Sequence, residues 1–213
     1  MPDLIVSEDI AAEAARQFLA IAPRTIVLAG GETPRATYER LATLDYPWAE
    51  TQFFFGDERC VPPTDAASNF RMASEALLSR IPGVVHPMPG ESCDAASYEH
   101  LLRQSAGGGV PEFDLVFLGL GDDGHTASLF PGDPALRERD RLVVKVQRPD
   151  HVRLTMTLPV LSNAKVVLFL VSGEGKRAAL ARLLANEDIP AAKVLARRVL
   201  IIADEPAGRR QVA

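Results

Sequence analysis

The sequence has few of the residues and patterns that mark metal centres, membrane spans and disulfide-rich secreted proteins. Only two cysteines and four histidines occur among 213 residues, so neither a paired-cysteine metal site nor a dense disulfide framework is expected. The longest apolar run, residues 166–171, is far shorter than the ~18 residues that a membrane helix needs. No P-loop, G-x-S-x-G elbow or H-E-x-x-H motif is present, which argues against the nucleotide, serine-hydrolase and zinc chemistries that depend on them.

Basic residues are not in excess. The 23 lysines and arginines face 28 acidic residues, and the net charge is −5. This balance argues against a general nucleic-acid binder, and nothing indicates a membrane partner. Because the field of the whole protein is mildly repulsive to anions, an anionic small molecule would need a local cluster of positive side chains.

Cys60 and Cys93 lie far apart in the sequence, and a disulfide scaffold is not expected in a chain of this size. The first residues contain no basic segment followed by an apolar stretch, so export is not expected. The expected location is therefore the cytoplasm. A monomer is the expected state, with an oligomer left open.

Short apolar segments alternate with helical ones along the whole chain. This alternation predicts an α/β fold, a mainly parallel sheet covered by helices on both faces, in a single domain spanning 1–213. Two further segments, 141–147 and 151–158, predict a small antiparallel hairpin. The predicted core strands cover residues 25–29, 51–55, 114–120, 165–172 and 197–203.

Glycine-containing polar loops follow four of the predicted strands, at residues 30–34, 56–59, 119–126 and 172–176. In a parallel α/β sheet, ligands bind beyond the carboxyl ends of the strands. The carboxyl ends all lie at one edge of the sheet. We therefore expect these loops to form an active site together.

Three features of the sequence indicate an anion site, although each has a plainer interpretation. The segment Gly30-Gly31-Glu32-Thr33-Pro34 lets backbone N–H groups approach an anion, or it is simply a tight turn. Arg153 lies on the polar face of a strand, which alone is typical of a solvated surface. Lys176 lies in the first turn of a predicted helix and opposes its dipole, unless it pairs with Glu174.

The loop over 119–126 is the strongest candidate for catalysis. Residues 119–124 match G-x-G-x-x-G, but Asp122 and Asp123 would place two negative charges against a dinucleotide pyrophosphate, and we reject that interpretation. The loop presents Asp123 and His125 together instead. A carboxylate near a histidine fixes its tautomer and prepares it to act as a base; the alternative is a capped turn with an exposed histidine.

Taken together, these loops resemble the 6-phosphogluconolactonase family over nearly the whole chain and in the family's order. The most specific match is residues 118–131, LGLGDDGHTASLFP. The other similar segments are GGETP (30–34), GDERCVP (56–62), SNFRM (68–72) and RLTMTLP (153–159). Glu32 departs from the family pattern, which has serine at this position.

The resemblance implies a Rossmann-like fold and the hydrolysis of 6-phospho-D-glucono-1,5-lactone to 6-phosphogluconate, a step of the oxidative pentose phosphate pathway. It implies neither a metal nor an organic cofactor. His125 would be the general base on a water molecule, oriented by Asp123 or Asp57. Arg59 or loop N–H groups would stabilise the oxyanion. The residues expected to hold the phosphate are Gly30, Gly31, Thr33, Arg153 and Lys176.

Two other functions remain open. One is a sugar-phosphate deaminase or isomerase of the same fold. The related deaminase loop reads D-G-H-I-A-F-N-E-P, and its glutamate assists the histidine, whereas Phe130 occupies that position here. The other is a non-catalytic sugar-phosphate sensor, which would have no need of Asp57, Asp123 and His125.

Overall fold

Two sheets organise the computed structural model, which describes residues 2–208. The strands, in chain order, are β1 (Asp3–Val6), β2 (Thr25–Leu28), β3 (Gln52–Phe55), β4 (Asp57–Arg59), β5 (Val84–Val85), β6 (Phe113–Gly119), β7 (Val143–Gln147), β8 (Val152–Met156), β9 (Ala164–Val171) and β10 (Arg198–Ala203). The larger sheet has the order β1-β10-β9-β6-β2-β3-β5, and all its neighbouring strands are parallel. The smaller sheet, β4-β8-β7, is antiparallel. The predicted parallel sheet and hairpin are confirmed, and β4 adds a third strand to the hairpin.

The helices follow the strands as an α/β chain requires. They are α1 (Ile10–Ile21), α2 (Glu32–Leu41), α3 (Asn69–Ala73), α4 (Ala95–Ser105), α5 (Leu158–Ser162), α6 (Arg177–Leu184) and α7 (Glu205–Gly208). Asp9 caps the start of helix α1, and its carboxylate accepts a hydrogen bond from the N–H of Ala12. Its residues Ile10, Ala14 and Phe18 are buried on one face, because residues four apart in a helix share a face. This buried face is the one that packs in the hydrophobic core.

The central strands are apolar throughout because helices cover both of their faces. Phe54 in β3, Val116 in β6 and Val167 in β9 are all fully buried. Strands β1 and β5 lie at the two edges of the sheet and are mostly exposed. Their apolar runs are short, three residues in β1 and two in β5, and neither strand was predicted.

Cys60 and Cys93 form a disulfide, contrary to the expectation that a chain of this size has no disulfide scaffold. A disulfide joins them, with the Cα atoms 5.0 Å apart. Cys60 directly follows β4, and Cys93 lies in the turn before α4. The chain returns to the end of β4 after 33 residues, and a separation of that length in the sequence gives no sign of the approach. The bond fastens the segment that follows Arg59.

One hydrophobic cluster takes in residues from both sheets. The prediction of a single domain over 1–213 extends past the described residues and stays a prediction. Within residues 2–208, no helix combines the length and the apolar character that crossing a membrane demands.

Tyr38 holds the carboxyl end of β2, where the chain enters the loop at Gly30. Its side chain lies on α2 and is fully buried. The hydroxyl donates to the carbonyl of Ala29 at 3.0 Å and accepts from the N–H of the same residue at 2.8 Å. One side chain therefore satisfies both backbone groups that the strand leaves unpaired at this point.

We expect Tyr38→Phe to lower the free energy of unfolding by about 1–3 kcal/mol, because it leaves two buried polar groups of Ala29 without their partner. Urea denaturation measures the change. The matched control is Tyr46→Phe, since Tyr46 is only partly buried and donates a single hydrogen bond, to the carbonyl of Pro23. A loss no larger than that of the control would contradict the role given to Tyr38.

Candidate active site

A cavity of about 280 Å³ opens at the carboxyl ends of the central strands. The predicted site residues that line it are Gly30, Gly31, Thr33, Asp57, Arg59, His125, Arg153 and Lys176. Asp123 lies behind His125 rather than in the lining. The lining residues that were not predicted for the site include Glu32, Asn69 and Gly121. The prediction that the polar loops come together is therefore confirmed.

The short strand β4 places two arginines side by side. Gly56 separates β3 from β4, which then pairs antiparallel with β8, so that Arg59 lies directly opposite Arg153. Like charges in directly opposite positions destabilise a sheet. Both arginines line the cavity. Two arginine side chains that line one cavity are a favourable environment for an anion.

The guanidinium of Arg153 forms an ion pair with Asp150. Its Nη2 lies 2.5 Å from a carboxylate oxygen of Asp150, and this contact holds the pKa of Asp150 well below its usual range. The Arg153 side chain is mostly buried, at 13% exposure, whereas that of Asp150 is 51% exposed. The plainer interpretation of Arg153 as part of a solvated strand face is therefore wrong.

Lys176 is also paired, though not with the expected residue. It lies in a turn of 3₁₀-helix just before α6, and its Nζ is 2.5 Å from Asp122. Glu174 pairs with Arg177 instead, at 3.2 Å. The Asp122 side chain is 74% exposed, against 32% for Lys176. Lys176 thus faces the cavity with an exposed acid as its partner.

Asp123 rather than Asp57 contacts His125. Nδ1 of the imidazole lies 2.7 Å from Oδ1 of Asp123, and the backbone N–H of His125 donates to the same oxygen at 2.9 Å. Burial opposes ionisation of Asp123, but these two hydrogen bonds and the charge of His125 outweigh it and lower its pKa. The carboxylate is therefore ionised at neutral pH.

The hydrogen bond to Asp123 also decides which ring nitrogen of His125 can act as a base. An ionised carboxylate only accepts hydrogen bonds, so Nδ1 carries the proton. In the neutral imidazole, Nε2 then has the lone pair. Since the ring lines the cavity, its Nε2 is the nitrogen that can take a proton there.

Asp57 is held by a separate set of hydrogen bonds. Its carboxylate accepts from the hydroxyl of Ser128 at 2.6 Å and from the amide of Asn69 at 3.2 Å. The Asn69 amide oxygen in turn accepts from Nη1 of Arg59 at 2.8 Å. Asn69 therefore connects Asp57 with Arg59 at the floor of the cavity.

Gly30 gives Asn69 the space that this position needs. A Cβ atom added at Gly30 would lie 1.9 Å from the side-chain oxygen of Asn69. The glycine therefore serves close approach as well as the turn. Asn69 and Ser128 could have been found only as members of the similar segments 68–72 and 118–131, since neither stands out by residue type.

The buried carboxylate of Glu58 holds the start of α3 against β4. It accepts hydrogen bonds from the backbone N–H groups of Arg59, Asn69 and Phe70 at 2.7–2.8 Å and from the Ser68 hydroxyl at 3.0 Å. Burial raises the pKa of Glu58, although these four donors oppose the shift. This arrangement keeps Asn69 beside Asp57.

Phe130 places an apolar ring beside His125. Its ring is 6% exposed and lies 4.4 Å, between centroids, from the ring of His125. The guanidinium carbon of Arg148 lies 4.0 Å from the Phe130 centroid, and that of Arg153 lies at 5.6 Å. The aromatic ring therefore contacts the imidazole as well as the two arginines, and none of these contacts is a hydrogen bond.

The loop over 119–124 does not lead into a helix, in agreement with the rejection of a dinucleotide site. The next helical segment is the short 3₁₀-helix Pro134–Arg137. Among the side chains of residues 2–208, no three of the types His, Cys, Asp and Glu are grouped so that they could hold a metal ion.

Known proteins match both the sequence and the fold. The family model described as glucosamine-6-phosphate isomerases/6-phosphogluconolactonase matches residues 5–202. A protein from Synechocystis sp. named 6-phosphogluconolactonase is 42% identical over 207 residues, which cover 88% of this chain and 86% of that protein. The crystal structure of a 6-phosphogluconolactonase from Thermotoga maritima has a TM-score of 0.84 at 32% identity, with 96% of this chain and 100% of that chain covered.

A monomeric glucosamine-6-phosphate deaminase has a TM-score of 0.81 over 96% of this chain and 98% of its own, but at 23% identity this likeness concerns the fold alone. The family match and the Synechocystis relative both cover most of the chain and agree with each other. The chain therefore belongs to the glucosamine-6-phosphate isomerase/6-phosphogluconolactonase family.

Proposed function

We propose that this protein hydrolyses 6-phospho-D-glucono-1,5-lactone to 6-phosphogluconate, a step of the oxidative pentose phosphate pathway. The observation that carries the proposal is the pairing of Asp123 with His125 in a cavity that also contains Arg59, Arg153 and Lys176. A base and a group of cations are what a phosphorylated ester requires. The relatives from Synechocystis sp. and Thermotoga maritima carry the name of this activity.

The proposed mechanism begins with a water molecule beside Nε2 of His125. The nitrogen takes a proton from the water as the water oxygen bonds to the lactone carbonyl carbon, which gives a tetrahedral intermediate. The bond from this carbon to the ring oxygen then breaks, and the imidazolium returns the proton to that oxygen. Asp123 stabilises the imidazolium and keeps the ring in the required tautomer.

The oxyanion of the intermediate is assigned to Arg59 or to the loop N–H groups. Asn69 and the carbonyl of Ala67 both hold Nη1 of Arg59, at 2.8 and 2.9 Å, so the guanidinium is fixed before substrate binds. A group that is already oriented stabilises developing charge without reorganisation. Asp57 is held by Ser128 and Asn69 and has no hydrogen bond to His125, so we assign it to a sugar hydroxyl rather than to the orientation of His125.

The phosphate is assigned to Arg153 and Lys176 together with Gly30, Gly31 and Thr33. Both cations are paired with exposed carboxylates in the structure, at Asp150 and Asp122. Both carboxylates are in contact with solvent, which screens their attraction for the two cations. A phosphate group brings more negative charge and more acceptor oxygens, so it can displace these acids. The backbone N–H groups at the start of α2 are assigned to the same anion.

The deaminase alternative is weakened by Phe130. The residue at this position contacts His125 but cannot carry a proton. Amine elimination needs proton transfer at several atoms, whereas ester hydrolysis needs chiefly one base and oxyanion stabilisation. A sensor would need neither the Asp123–His125 pair nor its orientation into the cavity.

The proposed location is still the cytoplasm and the proposed state a monomer. The Cys60–Cys93 disulfide is the feature of the structure that argues against a reducing compartment.

His125→Ala is expected to lower kcat by about 10²–10⁴-fold, the usual contribution of a general base. Disappearance of the lactone at mildly acidic pH, where its spontaneous hydrolysis is slow, measures the rate. His100→Ala serves as the control, because His100 is an exposed residue of α4 outside the cavity. Activity of the His125→Ala enzyme within about threefold of the wild type, a difference well under 1 kcal/mol, would eliminate His125 as the base.

Arg153→Met and Lys176→Met are each expected to weaken binding of the phosphorylated lactone by about 1.5–3 kcal/mol, the usual value for a hydrogen bond to a charged group. The change in KM should be much smaller for unphosphorylated gluconolactone. Lys165→Met is the control, because Lys165 pairs with Asp114 away from the cavity. Equal losses with both lactones would refute the assignment of the phosphate.

The protein is expected to release no ammonia from glucosamine 6-phosphate, because Phe130 supplies no acid beside His125. Purified enzyme is given each substrate in turn, and acid production from the lactone is compared with ammonia from the amino sugar. Enzyme-dependent ammonia at about 1 per second or faster, an ordinary turnover, would make the deaminase the correct function.

A further inference from the structure

We propose that Gly121 and Phe130 are positioning residues for His125, which hold its imidazole in the one orientation that serves as a base. The inference rests on the proposed role of His125. It concerns how the loop holds the ring, and no hydrogen bond from either side chain is involved. Gly121 acts by leaving space, and Phe130 acts by filling it.

The space at Gly121 is occupied by the imidazole itself. A Cβ atom added at Gly121 would lie 2.0 Å from Nδ1 of His125 and 2.2 Å from Cε1. Both distances are far shorter than a van der Waals contact, so any other residue here would displace the ring or the loop. The nitrogen that would be struck is the one that donates to Asp123.

The loop backbone gives the ring little freedom to retreat. The N–H of Gly121 donates to the carbonyl of His125 at 2.8 Å, and the N–H of Gly124 donates to the carbonyl of Gly121 at 2.9 Å. These bonds close the loop on itself and tie the backbone of His125 to the residue that its ring covers. A methyl group at Gly121 would therefore displace the side chain of His125 more readily than its backbone.

Phe130 limits the ring by contact. Its centroid lies 4.4 Å from that of the imidazole, with the planes inclined at 34°. Phe130 is itself fixed, because it is nearly buried and the guanidinium of Arg148 lies over its ring at 4.0 Å. A smaller aliphatic side chain would remove the flat surface against which the imidazole rests.

The expected consequence is a loss of rate with little loss of binding. Displacing a catalytic group by about 1 Å costs about 10²-fold in rate. We expect Gly121→Ala to lower kcat by about this factor and to leave KM within about threefold. Phe130→Leu should act in the same direction with a smaller loss, because the hydrogen bond to Asp123 remains.

The test is a double-mutant cycle with the phosphorylated lactone, which compares the wild type, Gly121→Ala, His125→Ala and the double variant. If Gly121 acts only through the imidazole, Gly121→Ala lowers kcat in the wild type and has no further effect once His125 is alanine. Phe130→Leu is carried through the same cycle, so the inference stays testable if Gly121→Ala fails to fold. Gly109→Ala is the control for a glycine replacement, because an added Cβ there meets nothing closer than 3.7 Å.

The outcomes separate this inference from the proposed function. Full activity of His125→Ala would overturn the base assignment and the positioning inference with it. A large loss for His125→Ala, combined with equal further losses from Gly121→Ala and Phe130→Leu in both backgrounds, would leave the base in place and overturn the positioning inference.

The imidazole ¹⁵N resonances give a second readout. Nδ1 of His125 should stay protonated in the wild type, and in Gly121→Ala its bonded proton signal should be lost; its retention there would contradict the inference.

Discussion

The buried carboxylate of Glu58 is the constraint on which the shape of the pocket depends. A charge removed from water is stable only where donors surround it, and Glu58, at 2% exposure, is served by the Ser68 hydroxyl and by three backbone N–H groups. One of these groups comes directly after Glu58, and the others belong to the start of α3. To satisfy the carboxylate, the loop between them has to close, and α3 then begins beside β4. Asn69 is brought to Asp57 and Arg59 by this closure, and the disulfide fastens the same loop from outside.

The second organising feature is a local reversal of charge. The chain as a whole is negative, yet the antiparallel pairing of β4 with β8 sets Arg59 opposite Arg153 at the wall of the cavity. The exposed acids Asp150 and Asp122 balance Arg153 and Lys176. Because both acids are in contact with solvent, a more highly charged anion can compete with them for the two cations. The cavity is therefore prepared for an anion, although the protein as a whole repels one.

The sequence was informative where burial is complete and much less so where contacts are distant. Strands β2, β3, β6, β9 and β10 were predictable because strands covered on both faces have continuous apolar runs. Edge strands β1 and β5 have runs of only three and two apolar residues, and the three polar residues of β4 give no signal of a strand. The Cys60–Cys93 bond, the pairing of Lys176 with Asp122 and the place of Asn69 between Asp57 and Arg59 all join residues that only the folded chain brings together. Residue type alone pointed to His125 and Asp123, because their partnership is local in the sequence.

The fold does not decide the chemistry, since a deaminase has the same architecture at low identity. The difference has to lie in the loop that follows β6, where both chemistries would use a histidine. In this chain the imidazole has one carboxylate at Nδ1, a glycine that leaves it room and an aromatic ring beside it. A proton can enter or leave the ring only through Nε2, because Asp123 holds the proton on Nδ1 and Phe130 offers no exchangeable hydrogen. A site with one proton-transfer route suits a reaction in which a single water is deprotonated and a single leaving oxygen is protonated. The assignment of hydrolysis rather than amine elimination therefore depends on the apolar neighbours of His125 as much as on the Asp123–His125 pair.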